Sequence, residues 1–260
     1  MQTNPIGIFD SGVGGISIWK EIISILPNED TIYLADSDNA PYGQKSKQEI
    51  IDLSIKNTEL LLKKGCKLIV VACNTATTNA ISFLRTKYDV PFIGIEPAIK
   101  PAALKTKTKA IGILATKGTL NSELFTTTSE KFSDTIKIIE QIGEGLVPLI
   151  EKGKINSSQM RVLLKEHLYN LTKHHIDYLV LGCSHYPFLI PQIKKIVGKN
   201  VTIIDSGEAV AKQTKAILKK NNLLNTSKTI GRHLLFSNLD VAIINQFVNE
   251  NNTKVNFLDF

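Results

Sequence analysis

Two six-residue stretches, Leu68-Ile69-Val70-Val71-Ala72-Cys73 and Tyr178-Leu179-Val180-Leu181-Gly182-Cys183, decide how this chain is read. Each is an apolar run of strand length that ends on a cysteine, and each is followed at once by polar residues, Asn74-Thr75 in one and Ser184-His185 in the other. They lie 110 residues apart. Upstream, Ile6-Gly7-Ile8-Phe9-Asp10-Ser11 is echoed 105 residues later by Ile111-Gly112-Ile113-Leu114-Ala115-Thr116. Downstream, Ile93-Gly94-Ile95-Glu96 is echoed by Ile203-Ile204-Asp205 at a similar offset. Three matches in one order and at nearly one spacing point to two related lobes.

Working outward, residues 6–10, 31–35, 68–73, 91–95, 110–115, 136–141, 178–183 and 201–205 read as strands. Their near-continuous apolarity is that of strands covered on both faces. Between them, 48–64 and 157–174 carry apolar stripes at helical spacing, and 208–221 reads as a further helix. Alternating strands and helices predict an α/β fold: two pseudosymmetric lobes, each a mostly parallel sheet flanked by helices, with the active site in the cleft between them. The first lobe is expected to comprise residues 1–96 together with 208–260, and the second 97–207, with 232–237 returning as a strand to complete the first. Ligands bind outside the carboxyl ends of parallel strands, and both cysteines stand at such ends.

A thiol at a strand end and helix start sees the positive end of the helix dipole, which predicts a pKa for Cys73 below the ordinary value of about 8.5. Cys183 precedes Ser184-His185-Tyr186-Pro187, where His185 can orient the thiol or exchange protons with it. A lone buried cysteine is ordinarily a small hydrophobe, and Cys66, with no partner motif, is read that way. For Cys73 and Cys183 that reading is weaker, because amides and hydroxyls directly after a buried strand are costly unless they serve a site. Asp10-Ser11-Gly12-Val13-Gly14-Gly15 closes the first strand with glycines that let backbone approach a ligand, at a helix start suited to an anion. It lacks the glycine spacing of a dinucleotide loop. Pro41-Tyr42-Gly43 lies in a polar loop, and Thr116, Gly118 and Thr119 occupy the second-lobe counterpart of the Asp10 loop.

Composition narrows the field. The chain has 260 residues, 43% of them hydrophobic, enough for one large domain or two smaller ones. No apolar run approaches the roughly 18 residues of a membrane span, and residues 1–5 lack the basic and apolar regions of a secretory signal, so a cytoplasmic protein is expected. Three cysteines without framework spacing fit reduced thiols. The net charge of +7 comes from lysines scattered over helical faces with no nucleic-acid motif beside them, which reads as a solvated basic surface. A zinc site built from Cys73, Cys183, His185 and Asp10 would need closely spaced ligand pairs, which are missing. A non-catalytic two-lobed binding protein would explain the cleft and loops but leave two matched cysteines without purpose.

Two identical acid/base groups facing one another suit inversion at an amino-acid α-carbon. One removes the proton from one face while the other delivers a proton to the opposite face. The set Ile6–Gly15 (IGIFDSGVGG), Ala40–Gly43 (APYG), Val71–Thr75 (VACNT), Val147–Glu151 (VPLIE) and Leu181–Pro187 (LGCSHYP) resembles the glutamate racemases of bacterial cell-wall synthesis, in the aspartate/glutamate racemase family. The resemblance implies two α/β lobes and neither pyridoxal phosphate nor metal. It implies Cys73 and Cys183 as the bases for the two enantiomers, with Asp10 and His185 as assisting groups. It further implies Asp10, Ser11, Tyr42, Gly43, Asn74, Thr75, Ser184 and His185 as ligands of the substrate's amino and carboxylate groups, with Thr116, Thr119 and Glu151 lining the second-lobe side. D-Glutamate for peptidoglycan is the implied product and a homodimer the implied assembly. Ser184 stands where the resembled motif more often has Thr, and Ala35 where it more often has Gly; a racemase for another acidic amino acid, such as aspartate, is the nearest rival.

Overall fold

A computed structural model describes residues 3–260; Met1 and Gln2, which open the expected first lobe and the N-terminal stretch 1–5, lie outside it. The strands are β1 (Ile6–Asp10), β2 (Thr31–Ala35), β3 (Leu68–Val71), β4 (Phe92–Gly94), β5 (Ala110–Ala115), β6 (Lys137–Ile142), β7 (Tyr178–Gly182), β8 (Thr202–Ile204), β9 (His233–Ser237) and β10 (Thr253–Phe257). The helices are α1 (Ile16–Ile25), α2 (Lys47–Lys63), α3 (Asn74–Lys87), α4 (Ile99–Lys105), α5 (Lys117–Leu120), α6 (Glu123–Ser133), α7 (Leu146–Glu151), α8 (Ser158–Thr172), α9 (Ile190–Val197), α10 (Gly207–Lys220) and α11 (Val241–Asn245). Polar residues set several starts: Ser46 and Glu49 form a reciprocal capping box on α2, and Ser157 caps α8 through the Met160 amide.

The strands form two all-parallel sheets, ordered β10-β9-β2-β1-β3-β4 and β6-β5-β7-β8. The run β2-β1-β3-β4 has its counterpart in β6-β5-β7-β8, so the internal repeat is a repeat of topology. Register agrees as well: Ile6 pairs with Leu68 between β1 and β3, and their sequence counterparts Ile111 and Tyr178 pair between β5 and β7. The return strand expected at 232–237 is β9, which lies against β2. β10 extends the same edge and has no forerunner in the sequence reading.

Period-two side chains split the core. Ile6, Ile8, Leu68 and Val70 of the first sheet share one apolar cluster with Leu114, Leu179 and Leu181 of the second, so the two sheets have a common apolar layer between them. The opposite faces are covered separately, Phe9, Leu34 and Val71 against residues of α2 and α3, and Ile111, Ile113 and Val180 against residues of α4 and α6. Burial on both faces fails for β6, an edge strand with Lys137 and Glu140 exposed, and for β8, which is only partly covered. α10 packs on α1 and brings the chain back to the first sheet. No helix among the described residues is long and apolar enough to cross a membrane.

Candidate active site

Cys73 and Cys183 stand just past the ends of β3 and β7, which flank the central strands β1 and β5 in their respective sheets. Both cysteines line one small cavity of about 10 Å³, with Ser11, Pro41, Tyr42, Gly43, Asn74, Thr75, Thr116, Val147, Ser184 and His185. That is the room of about one water. Larger grooves, of about 1040 and 650 Å³, lie elsewhere on the surface but bring no matched pair of reactive groups together.

Cys73 caps α3, its Sγ accepting from the Ala76 amide at 3.4 Å and donating to Ser11 Oγ at 3.7 Å. The helix start does not leave it acidic, as the sequence implied. Burial pushes its pKa well above the ordinary thiol range and the nearby Asp10 carboxyl adds to this, outweighing the Ala76 amide and Ser11. Cys183 departs from its counterpart locally, because Tyr186–Leu189 forms a 3-10 turn before α9 begins and no α-helix starts directly after the thiol. Its neighbour is instead His185, whose Nδ1 lies 3.7 Å from Cys183 Sγ.

His185 is fixed from behind. Its Nε2 meets Glu151 Oε1 at 2.5 Å, and the same carboxylate accepts the Val13 amide at 2.7 Å and Ser37 Oγ at 3.0 Å. Burial works against the imidazolium, but the contacts with Cys183 and Glu151 together hold its pKa well above the ordinary value. Asp10, fully buried, accepts the Gly15 amide at 2.8 Å and Ser184 Oγ at 3.1 Å. Burial raises its pKa, partly opposed by His185 and the Gly15 amide. The glycine loop thus differs from the expected anion cradle. Its Val13 and Gly15 amides already serve the protein's own carboxylates, and its glycines make room for side chains. A Cβ on Gly12 would fall 1.9 Å from Glu151 Oε1, and one on Gly14 would fall 2.3 Å from His185 Nδ1.

Across the cleft, Thr75 Oγ1 meets Thr116 Oγ1 at 2.8 Å and Thr119 Oγ1 at 3.3 Å, joining α3 to the first turn of α5. Asn74 is 2% exposed, and neither atom of its side-chain amide has a partner. A buried amide left open at a cavity wall is a group waiting for a ligand. Asp10, Thr119 and Glu151 sit one step behind the cavity wall and support residues that reach it, whereas the other expected site residues line it. Tyr42 lines the cavity, and its hydroxyl is engaged in donating to the Asp36 carboxylate. Val147, within the quoted VPLIE motif but assigned no role from the sequence, lines the cavity. Asp36 and Ser37 were assigned no role from the sequence; Ser37 meets Glu151, 114 residues on, and Asp36 gathers Asn57 and Asn238 as well as its neighbours Asn39 and Tyr42. Among the described residues, no group of three or more His, Cys, Asp or Glu side chains is arranged to hold a metal ion.

Residues 8–214 match the Asp/Glu/Hydantoin racemase family. The chain is 44% identical over 231 residues to the glutamate racemase of Herpetosiphon aurantiacus, covering 89% of this chain and 91% of that protein. Among solved structures it resembles a glutamate racemase of Bacillus anthracis, with a TM-score of 0.86 and 30% identity over 100% of this chain and 99% of that one. It also resembles the glutamate racemase of Francisella tularensis in complex with D-glutamate, with a TM-score of 0.84 and 29% identity over 99% and 98% of the two chains. Motifs, paired thiols and overall likeness converge: this chain belongs to the Asp/Glu/hydantoin racemase family.

Proposed function

We propose that this racemase interconverts L- and D-glutamate by cofactor-independent proton transfer between Cys73 and Cys183, and that its D-glutamate supplies peptidoglycan synthesis. One observation carries the reading: two cysteines at the ends of equivalent strands line a single small cavity beside the unpartnered Asn74 amide. In the reaction one thiolate takes the α-proton, forming S–H while the C–H electron pair stays on the substrate. The opposing thiol gives its proton to the other face of the carbon and becomes the thiolate. Protons and charge balance, and the roles reverse for the other enantiomer.

Negative charge spreading into the substrate carboxylate is met by the donors that surround it, Asn74, Thr75 and Ser184. Ser11 and the Tyr42-Gly43 backbone complete the first-lobe wall, and Thr116 the second-lobe wall. Asp10 assists at the Cys73 side and His185 at the Cys183 side, with Thr119 and Glu151 supporting. The relative solved with D-glutamate and the Herpetosiphon relative support glutamate over aspartate. Glutamate is far larger than a 10 Å³ space, so turnover requires the cleft to open. The units that part are residues 1–96 with 208–260 and residues 97–207. A cytoplasmic homodimer belongs to the same reading.

The test is proton NMR of L-glutamate in D2O with metal-free and pyridoxal-free protein, with circular dichroism in parallel. Loss of the α-proton signal together with decay of optical activity is expected. Untouched glutamate beside racemised aspartate would overturn the substrate, and inactivity on both would overturn the function.

A further inference from the structure

Asp36 follows β2 and is fully buried. The donors that reach its carboxylate are neutral: Asn39 Nδ2 at 2.8 Å and Asn238 Nδ2 at 2.6 Å on one oxygen, the Tyr42 hydroxyl and Asn57 Nδ2 at 3.4 Å on the other. Asn57 also donates to the Tyr42 hydroxyl at 3.1 Å and, from α2, to Leu53 O at 2.9 Å. A charge buried among neutral dipoles keeps them all oriented, since losing any one of them leaves it less solvated.

Asn238 comes from the far end of the chain, just after β9, and wraps the turn that leads to the site. Its amide reaches Ala35 O at 3.4 Å and its Oδ1 accepts the Asp38 amide at 3.0 Å, while its Nδ2 also reaches Phe260 O at 3.3 Å. Asn238 does not line the cavity between the thiols, but Tyr42 and Gly43 do. The space at Gly43 is tight: a Cβ there would fall 2.8 Å from Thr116 Cβ. Small shifts of this segment therefore change the shape of the cavity.

We propose that Asn238 is a positioning residue for substrate binding: through Asp36 and the Tyr42 hydroxyl it holds the Tyr42-Gly43 backbone at the cleft. This rests on the racemase reading above. Because Asn238 does not line the cavity that holds the thiols, its loss weakens substrate and transition state alike, which raises KM and spares kcat.

The experiment measures glutamate racemisation in both directions for the wild type, Asn238→Ala, Tyr42→Phe and the double variant. Asn238→Ala is expected to raise KM about tenfold with kcat within about twofold, as for one lost hydrogen bond to a charged group. Tyr42→Phe should act in the same direction, and the two effects should be non-additive because they cut one chain of contacts. Asn238→Asp sets a second carboxylate against Asp36, so its KM should worsen as pH rises through the new group's ionisation, which a purely structural role would not produce. If Asn238→Ala does not fold, Asn238→Ser carries the same comparison. A fall in kcat at unchanged KM, additive effects, or variants equal to the wild type would overturn the proposal. Aspartate is run beside glutamate with the wild type first, so that failure of the function is told apart from failure of Asn238.

Discussion

His185 Nε2 and Glu151 Oε1 stand 2.5 Å apart at the foot of the cleft, and the same Glu151 oxygen holds the Val13 amide of the facing lobe. One carboxylate thus orients the imidazole and ties the lobes together. His185 has a raised pKa in the folded protein, through Cys183 and Glu151 acting against burial. A raised histidine contributes stability that is complete below the free value of about 6.5 and is lost as pH climbs through the folded value. Urea unfolding of the wild type against Glu151→Gln should therefore show an advantage of about 1.5–3 kcal/mol at slightly acid to neutral pH. It should shrink on the alkaline side, and an advantage that grows with pH would refute the assignment.

Cys73→Ala and Cys183→Ala should each lose racemisation by roughly 10²–10⁴-fold or more, the usual worth of a positioned acid/base group. Circular dichroism of either glutamate enantiomer provides the measurement. Full activity in either variant would remove the two-base mechanism.

The environment of Cys73 predicts slow alkylation. Burial and Asp10 raise its pKa, so its reaction with iodoacetamide should lag that of a free thiol at neutral pH and quicken as pH rises. Cys66, pushed up to about 12 by burial, should react more slowly than a free thiol throughout. Peptide mass spectrometry distinguishes the sites, and rapid pH-independent labelling of Cys73 would contradict the assignment.

Gly12→Ala places a methyl 1.9 Å from Glu151 Oε1, inside any tolerable contact. Displacing Glu151 releases His185 and the Val13 amide together. The variant should lose about 1–3 kcal/mol of stability, the usual cost of overpacking, and most of its activity. A fully active Gly12→Ala would show that Glu151 can move without consequence.

A separate pair tests the scaffold. Lys67 Nζ and Glu29 Oε2 meet at 2.6 Å with both side chains only 2% exposed, and Glu29 Oε1 accepts the Asn225 amide at 2.7 Å. Glu29→Ala leaves a buried ammonium without its carboxylate and should cost about 3–5 kcal/mol in chemical denaturation. A loss below about 1 kcal/mol would mean that this pair adds little to stability.

What could be read in advance follows burial. β1, β2 and β5 match the sequence reading residue for residue because each is a continuous apolar run between two covered faces. β10, Thr253-Lys254-Val255-Asn256-Phe257, escaped because an edge strand with polar alternation carries no such signal. Both reactive cysteines were legible from their paired placement. The ionisation of Cys73 was not: its helix start is written locally, whereas Asp10, which opposes it, comes from β1. The direction of the Tyr42 hydroxyl was hidden likewise, since it depends on Asn57 and Asn238 gathering around Asp36.

The shared strand order of the two sheets bears on chirality. A polypeptide of L-residues cannot contain a mirror plane, yet its two substrates are mirror images at one carbon. Repetition is available to it instead: β3 with Cys73 at its end and β7 with Cys183 at its end hold equivalent places in the two strand orders. The repetition is imperfect, with Asp10 beside one sulfur and His185 beside the other. On the proposed mechanism each hand of the substrate therefore meets a like thiol with an unlike companion, and the free-energy profile need not be the same from both ends.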